Sequence, residues 1–167
     1  MIWMAMPFHT TAQRLWKSLG PDERRSAATQ FWTEPPAEVL GAALGALVKA
    51  RHMRPQAARS LGPDAQARIL ATVLEPGETL AAALLVSLHL GERRPLLVAF
   101  LDALGLPHAD GLLREETEPP PLREEDARKA ASALGGFPRP HVATYFNTLW
   151  LQDPERWRVL ETVTEAI

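Results

Sequence analysis

Ser18-Leu19-Gly20-Pro21-Asp22 returns as Ser60-Leu61-Gly62-Pro63-Asp64, 42 residues further along the chain. Each stretch reads as the end of one helix and the start of the next. Gly closes a helix, Pro suits the first helical position, and an acid in the first turn complements the macrodipole. The match extends outward in order. Glu34-Pro35 corresponds to Glu75-Pro76 after one gap, Glu38 and Leu40 to Glu78 and Leu80, and Arg54-Pro55 to Arg94-Pro95. A decayed third copy carries Ala103-Leu104-Gly105-Leu106-Pro107, Glu118-Pro119 and Arg139-Pro140. Ordered markers at a fixed period of this size indicate stacked supersecondary units.

Apolar spacing fills the intervals with helices. Ala27, Ala28, Phe31 and Trp32 share one helical face after the first Gly-Pro, and Ile69, Leu70, Val73 and Leu74 do so after the second. Longer helices are predicted over 37–53 and 78–93, each with leucines at helical spacing. A further helix follows Pro95, with Leu96, Leu97, Phe100, Leu101 and Leu104, and another follows Pro140, with Val142, Tyr145, Phe146, Leu149 and Trp150. At the ends, a helix over 10–19 carries Leu15, Trp16 and Leu19, and one after Pro154 uses Trp157, Leu160 and Val163. The stretch 114–126 is acidic around three prolines and reads as an exposed connection into an amphipathic helix with Ala127, Ala130, Ala131 and Leu134.

Composition agrees. Of 167 residues, 26 are Ala and 25 Leu, against 11 Val and Ile together, a balance that favours helix over strand. Fifteen prolines then have to lie between helices or in their first turns. The expected fold is all-α: a single domain built as a right-handed array of about three units of ~42 residues. Residues 1–19 form an N-terminal cap, 20–61 and 62–106 the clear repeats, and 107–167 a degenerate third repeat with a C-terminal cap. Period and punctuation resemble the HEAT and armadillo type of α-helical repeat. That resemblance implies a chain that binds other macromolecules along a concave face.

Several chemistries are excluded or unsupported. With no Cys, a disulfide framework, thiolate metal sites and a thiol nucleophile are ruled out. The apolar stretches 80–90 and 95–106, interrupted by Glu92-Arg93-Arg94, fall short of the ~20 residues that span a bilayer. The first residues lack a basic leader, so a soluble cytoplasmic protein is expected, with no membrane contact. Fifteen Arg against three Lys, beside abundant Ala and Pro, fit the codon usage of a high-GC bacterium. The histidines at 9, 52, 89, 108 and 141 form no metal-ligand spacing. His89 reads as a hydrogen-bonded core residue, and His108-Ala109-Asp110 as a capped turn. No phosphate loop or nucleophile elbow occurs. No catalytic, cofactor or metal residue is therefore assigned, and a pocket enzyme stays a third reading.

The basic residues are the candidate contact surface. Arg51, His52, Arg54 and Arg59 sit at the first Arg-Pro elbow, Arg93 and Arg94 at the second, and Arg139 at the third; stacked units would align them as a ridge. A plainer account has basic residues near helix C-termini satisfying the last carbonyls. The Ser-Leu-Gly turn also invites a DNA-reading helix-turn-helix, but its packing positions hold Pro63 and Arg68 in one copy and Pro21 and Ser26 in the other. Net charge of −2 likewise opposes nucleic acid. Tryptophans cluster towards the ends, so Trp150 is a candidate partner contact. Trp3, with Met1, Ile2, Met4 and Met6, is a candidate for end-to-end self-association. The expected function is a non-enzymatic protein-interaction or scaffold module. A nucleic-acid-binding repeat protein using the Arg ridge is the alternative.

Overall fold

The computed structural model describes residues 10–113 and 121–164. Trp3 and its neighbours, and most of the Pro-rich acidic stretch, lie outside the described residues. The fold is all-α. The helices are α1 (Ala12–Ser18), α2 (Pro21–Thr33), α3 (Ala37–Arg51), α4 (Pro55–Ser60), α5 (Pro63–Leu70), α6 (Glu78–Leu90), α7 (Arg94–Ala103), α8 (Glu124–Ala133), α9 (Arg139–Gln152), α10 (Pro154–Trp157) and α11 (Val159–Thr164). A short antiparallel hairpin, β1 (His108–Ala109) and β2 (Leu112–Leu113), interrupts them. Its turn holds Asp110 and Gly111 at positive φ. No helix among the described residues is long and apolar enough to cross a membrane.

The described chain divides into two compact units, residues 11–92, and residues 93–113 and 121–164 together with Thr10. The division falls inside the 62–106 segment, between α6 and α7.

In the first unit the duplicated pentapeptides fold alike. Leu19 and Leu61 both leave their helices in extended conformation, at φ −68°, ψ 150° and φ −66°, ψ 145°. Gly20 and Gly62 follow as N-caps of α2 and α5, again with negative φ. The glycines therefore open helices rather than close them. Pro21 and Pro63 occupy the first turn as expected, where the missing N–H costs nothing. The correspondence reaches the side chains. Arg24 and Gln66, also 42 apart, both donate to backbone carbonyls: Arg24 Nε to Ala71 and Gln66 Nε2 to Ala58, at 3.1 and 3.0 Å.

Taken by copies, α1–α2–α3 corresponds to α4–α5–α6. The extensive helix pairs of this unit are α2 with α6, α2 with α5, α1 with α6, α3 with α4, α3 with α5, and α3 with α6. Every one joins one copy to the other. Exchanging α1 with α4, α2 with α5 and α3 with α6 maps this set onto itself, as an approximate twofold relation does. A side-by-side array instead pairs the helices within each unit. Between the copies lies the core: Leu15, Trp16, Phe31, Leu47, Leu70, Leu84 and Leu88 are essentially inaccessible.

The copies differ in one respect that shapes the surface. α2 has 13 residues and α5 only 8. Val73 and Leu74, expected on a helical face, lie instead in the connection 71–77, which leaves the helix through turns closed by Thr72 N–H to Ile69 and Val73 N–H to Leu70. Thr72 and Val73 are β-branched and weak helix formers. The carbonyls released there find donors from elsewhere in the unit: Arg24 serves Ala71, and Trp16 Nε1 serves Val73 at 2.8 Å.

The second unit is organised around aromatic rings. Phe100 of α7 meets Tyr145 edge-to-face at 5.4 Å, Phe146 at 5.4 Å and Trp157 at 5.9 Å. Helix α8 buries Ala127, Ala130, Ala131 and, just past its end, Leu134, the face read from the sequence. Burial pushes the Tyr145 phenol up, so it stays protonated through the ordinary pH range.

Candidate interaction surface

The first elbow is built by the end of α3. His52 takes the left-handed conformation, φ 51°, ψ 39°, which terminates the helix one residue after Arg51. Its N–H closes on the Val48 carbonyl. Arg54 then serves as N-cap and Pro55 as first residue of α4. Arg51, His52, Arg54 and Arg59 are all exposed. From Val39 to Pro63 the sequence holds Lys49, Arg51, Arg54 and Arg59 and no Asp or Glu. The elbow is thus an exposed stretch of chain whose charged side chains are all cationic.

The other predicted elbows have different fates. Arg93 is buried, 6% exposed, and so presents no surface to a partner. Arg94, the first residue of α7, binds the hairpin: its guanidinium donates to the Asp110 carboxylate at 2.8 Å and to the Asp110 carbonyl at 3.2 Å. Arg139 is exposed at the start of α9, and Trp150 is half-buried along that helix. Arg93, Arg94, Arg139 and Trp150 all fall in the second unit, whereas Arg51, His52, Arg54 and Arg59 fall in the first. Helix-end compensation accounts for Arg51 and Arg59, which lie in last turns. It does not account for Arg54, Arg94 or Arg139, which sit at helix starts, where the macrodipole opposes a cation. For Arg94, Asp110 supplies the compensation.

Beside the first elbow runs a groove of about 1030 Å³, wholly within the first unit. One wall is α3, presenting Ala42, Gly45, Ala46, Lys49 and Ala50; the other is the connection from Thr72 to Gly77. Gln13 and Lys17 of α1 close one side. Leu74 is 39% exposed, unusual here for a large apolar side chain. Two of the three lysines in the chain line this groove, and Lys49 is shared with the cationic elbow. Lys17 approaches Glu75 at 3.7 Å across exposed surface.

A rigid frame holds the groove's rim. Glu78 accepts the N–H groups of Ala12 and Gln13, both at 3.0 Å, and so caps α1 from 66 residues away. The Gln13 side chain in return accepts the Gly77 N–H at 2.9 Å. Gly77 stands at φ 94°, a conformation open to glycine. Sequence reading did not find this groove. Its lining mixes the small residues of α3 with scattered polar side chains from α1 and the 72–77 connection, a combination that no local motif announces.

Two groups with a chemical look have structural roles. His108 Nε2 lies 2.7 Å from Asp102, an acid–imidazole pair the sequence did not single out, but His108 Nδ1 accepts the Gly111 N–H at 3.0 Å. With that nitrogen occupied, the imidazole has no free lone pair for proton abstraction and instead fastens the hairpin to α7. His89, 3% exposed, bonds through Nδ1 to the Leu85 carbonyl at 2.8 Å and lies in the core, as its apolar helix implied. Among the described residues no group of three His, Asp or Glu is arranged to hold a metal ion.

Comparison with family models, with curated proteins and with solved structures finds no match for this chain.

Proposed function

We propose that the chain is a non-enzymatic protein-interaction module of a bacterial cytoplasm, and that its first unit carries the binding face. One observation carries this reading: an open groove, with Ala42, Gly45, Ala46, Val73 and Leu74 between polar side chains, runs into a cationic elbow, and Lys49 belongs to both. Apolar area gives a partner something to bury, while the charges steer approach and fix register.

The test replaces Arg51, Arg54 and Arg59 together with Glu. All three are exposed, so the fold is expected to survive. Affinity capture from the source cell, with wild-type and triple-variant chains side by side, should lose the principal partner in the variant. An identical set of recovered proteins would remove the elbow from the reading. Nucleic acid is the alternative, favoured by the four cations uninterrupted by acid. It predicts binding of labelled single-stranded or duplex DNA that weakens steeply with salt and disappears in the same variant. Arg93 is left out of the design, because reversing a buried cation would unfold the unit rather than probe a surface.

A further inference from the structure

Within the first unit the two copies supply a comparison of the same position, filled and open. In the first copy, α2 runs through Phe31 and Trp32, both buried and in edge-to-face contact at 5.3 Å, and packs along α6. The approach is close at its end. A Cβ placed on Gly91, just past α6, would lie 3.1 Å from Cβ of Gln30. In the second copy the corresponding pair is α5 and α3. There α5 stops at Leu70, the positions of Phe31 and Trp32 hold Val73 and Leu74, and the groove opens along Ala42, Gly45 and Ala46. What is missing from the second copy is a turn or more of helix bearing bulky apolar side chains.

We infer that the groove takes an amphipathic helix of a protein partner, with large apolar residues on its buried face and acidic residues flanking them. The shape follows from the first copy, in which the equivalent surface is covered by a helix. The sign of the charge follows from the rim. Lys17 and Lys49 line the groove against one acid, Glu75, and Arg51 and Arg54 extend the cationic field beyond Lys49. A basic helix or an anion without apolar groups meets only part of this surface. The inference rests on the interaction-module reading and specifies the partner of the same face.

The probe is a fluorescein-labelled synthetic helix of about four turns, with Phe and Leu at i, i+3, i+4 and i+7 and Glu elsewhere. It is titrated into the whole chain by fluorescence anisotropy, beside a version with Lys in place of Glu and a poly-Glu peptide of equal length. Saturable binding of the Glu helix is expected, at least tenfold tighter than either control. Gly45→Leu should weaken it at least tenfold by filling the groove. A Cβ at Gly45 meets nothing within 4 Å, and Leu suits a helix interior, so circular dichroism should show the variant folded. Lys17→Glu with Lys49→Glu should weaken it to a similar degree. Binding no tighter than that of poly-Glu, or unchanged by Gly45→Leu, overturns the groove assignment. If the Arg51, Arg54 and Arg59 reversal still loses the captured partner in that case, the interaction-module reading stands and only its occupant is wrong.

Discussion

At Gly77 the backbone takes φ 94°, ψ 156°, while Gly62 takes φ −68°, ψ 157°. Both residues are N-caps, but the demands on them are opposite. Any side chain at Gly77 is strained, and Gly77→Ala should cost about 1–3 kcal/mol. At Gly62 a Cβ meets open space and Ser can accept an N–H of the first turn, so Gly62→Ser should stabilise by roughly 0.5–1 kcal/mol. Chemical denaturation of the two variants measures both; equal effects would contradict the assigned conformations. His52 makes the same point from the other side. The sequence suggested a contact residue in a basic run, but the structure gives it the left-handed position that ends α3. Nothing in the letters around it distinguishes those roles, because His tolerates that conformation only moderately better than other residues do.

For whole elements, punctuation in the sequence was the dependable guide. Pro21, Pro55, Pro63, Pro95, Pro140 and Pro154 each stand in the first turn of a helix. Proline has a purely local effect, which is why it is legible. The early end of α5 was only half legible: Thr72 and Val73 are weak helix formers, but the carbonyls freed there are served by Arg24 and Trp16 from elsewhere in the unit, which no local pattern shows. The hairpin at 108–113 was not legible, since two-residue strands cannot announce it by alternation and it relies on Arg94 and Asp102 of α7. The short α1, at 7 residues, is well below the length at which a helix holds by itself. Its first turn is satisfied by Thr11, which accepts the Arg14 N–H, and by the carboxylate of Glu78. Glu78→Ala should therefore lower stability by about 1–2 kcal/mol and release α1 first. Hydrogen exchange would show this as faster exchange at Ala12 and Gln13 than elsewhere in the unit; uniform acceleration would argue against a local cap.

Over the whole molecule, helix content was readable, but the way the two copies of the pentapeptide segment pack in the first unit was not. A translational array and a twofold exchange share the same period, helix order and apolar faces. They differ only in which copy's face meets which, and no residue spacing encodes that. The cross-copy pairing predicts that neither copy has a core of its own. A protease site inserted between Met53 and Arg54, then cleaved, should leave the first unit folded with its copies held together, because the extensive pairs cross the cut. The piece ending at Met53, made alone, should show little helix by circular dichroism. A stably folded monomeric piece would refute the cross-copy arrangement. Carrying both copies in one chain also frees them from having to be identical. Two separate copies of a single sequence meeting about a true twofold axis would have to close both equivalent positions or leave both open. Joined end to end, one can keep Phe31 and Trp32 as ballast for the fold while the other gives up bulk at Val73 and Leu74, so that a nearly symmetric framework carries a groove on one side without its counterpart on the other.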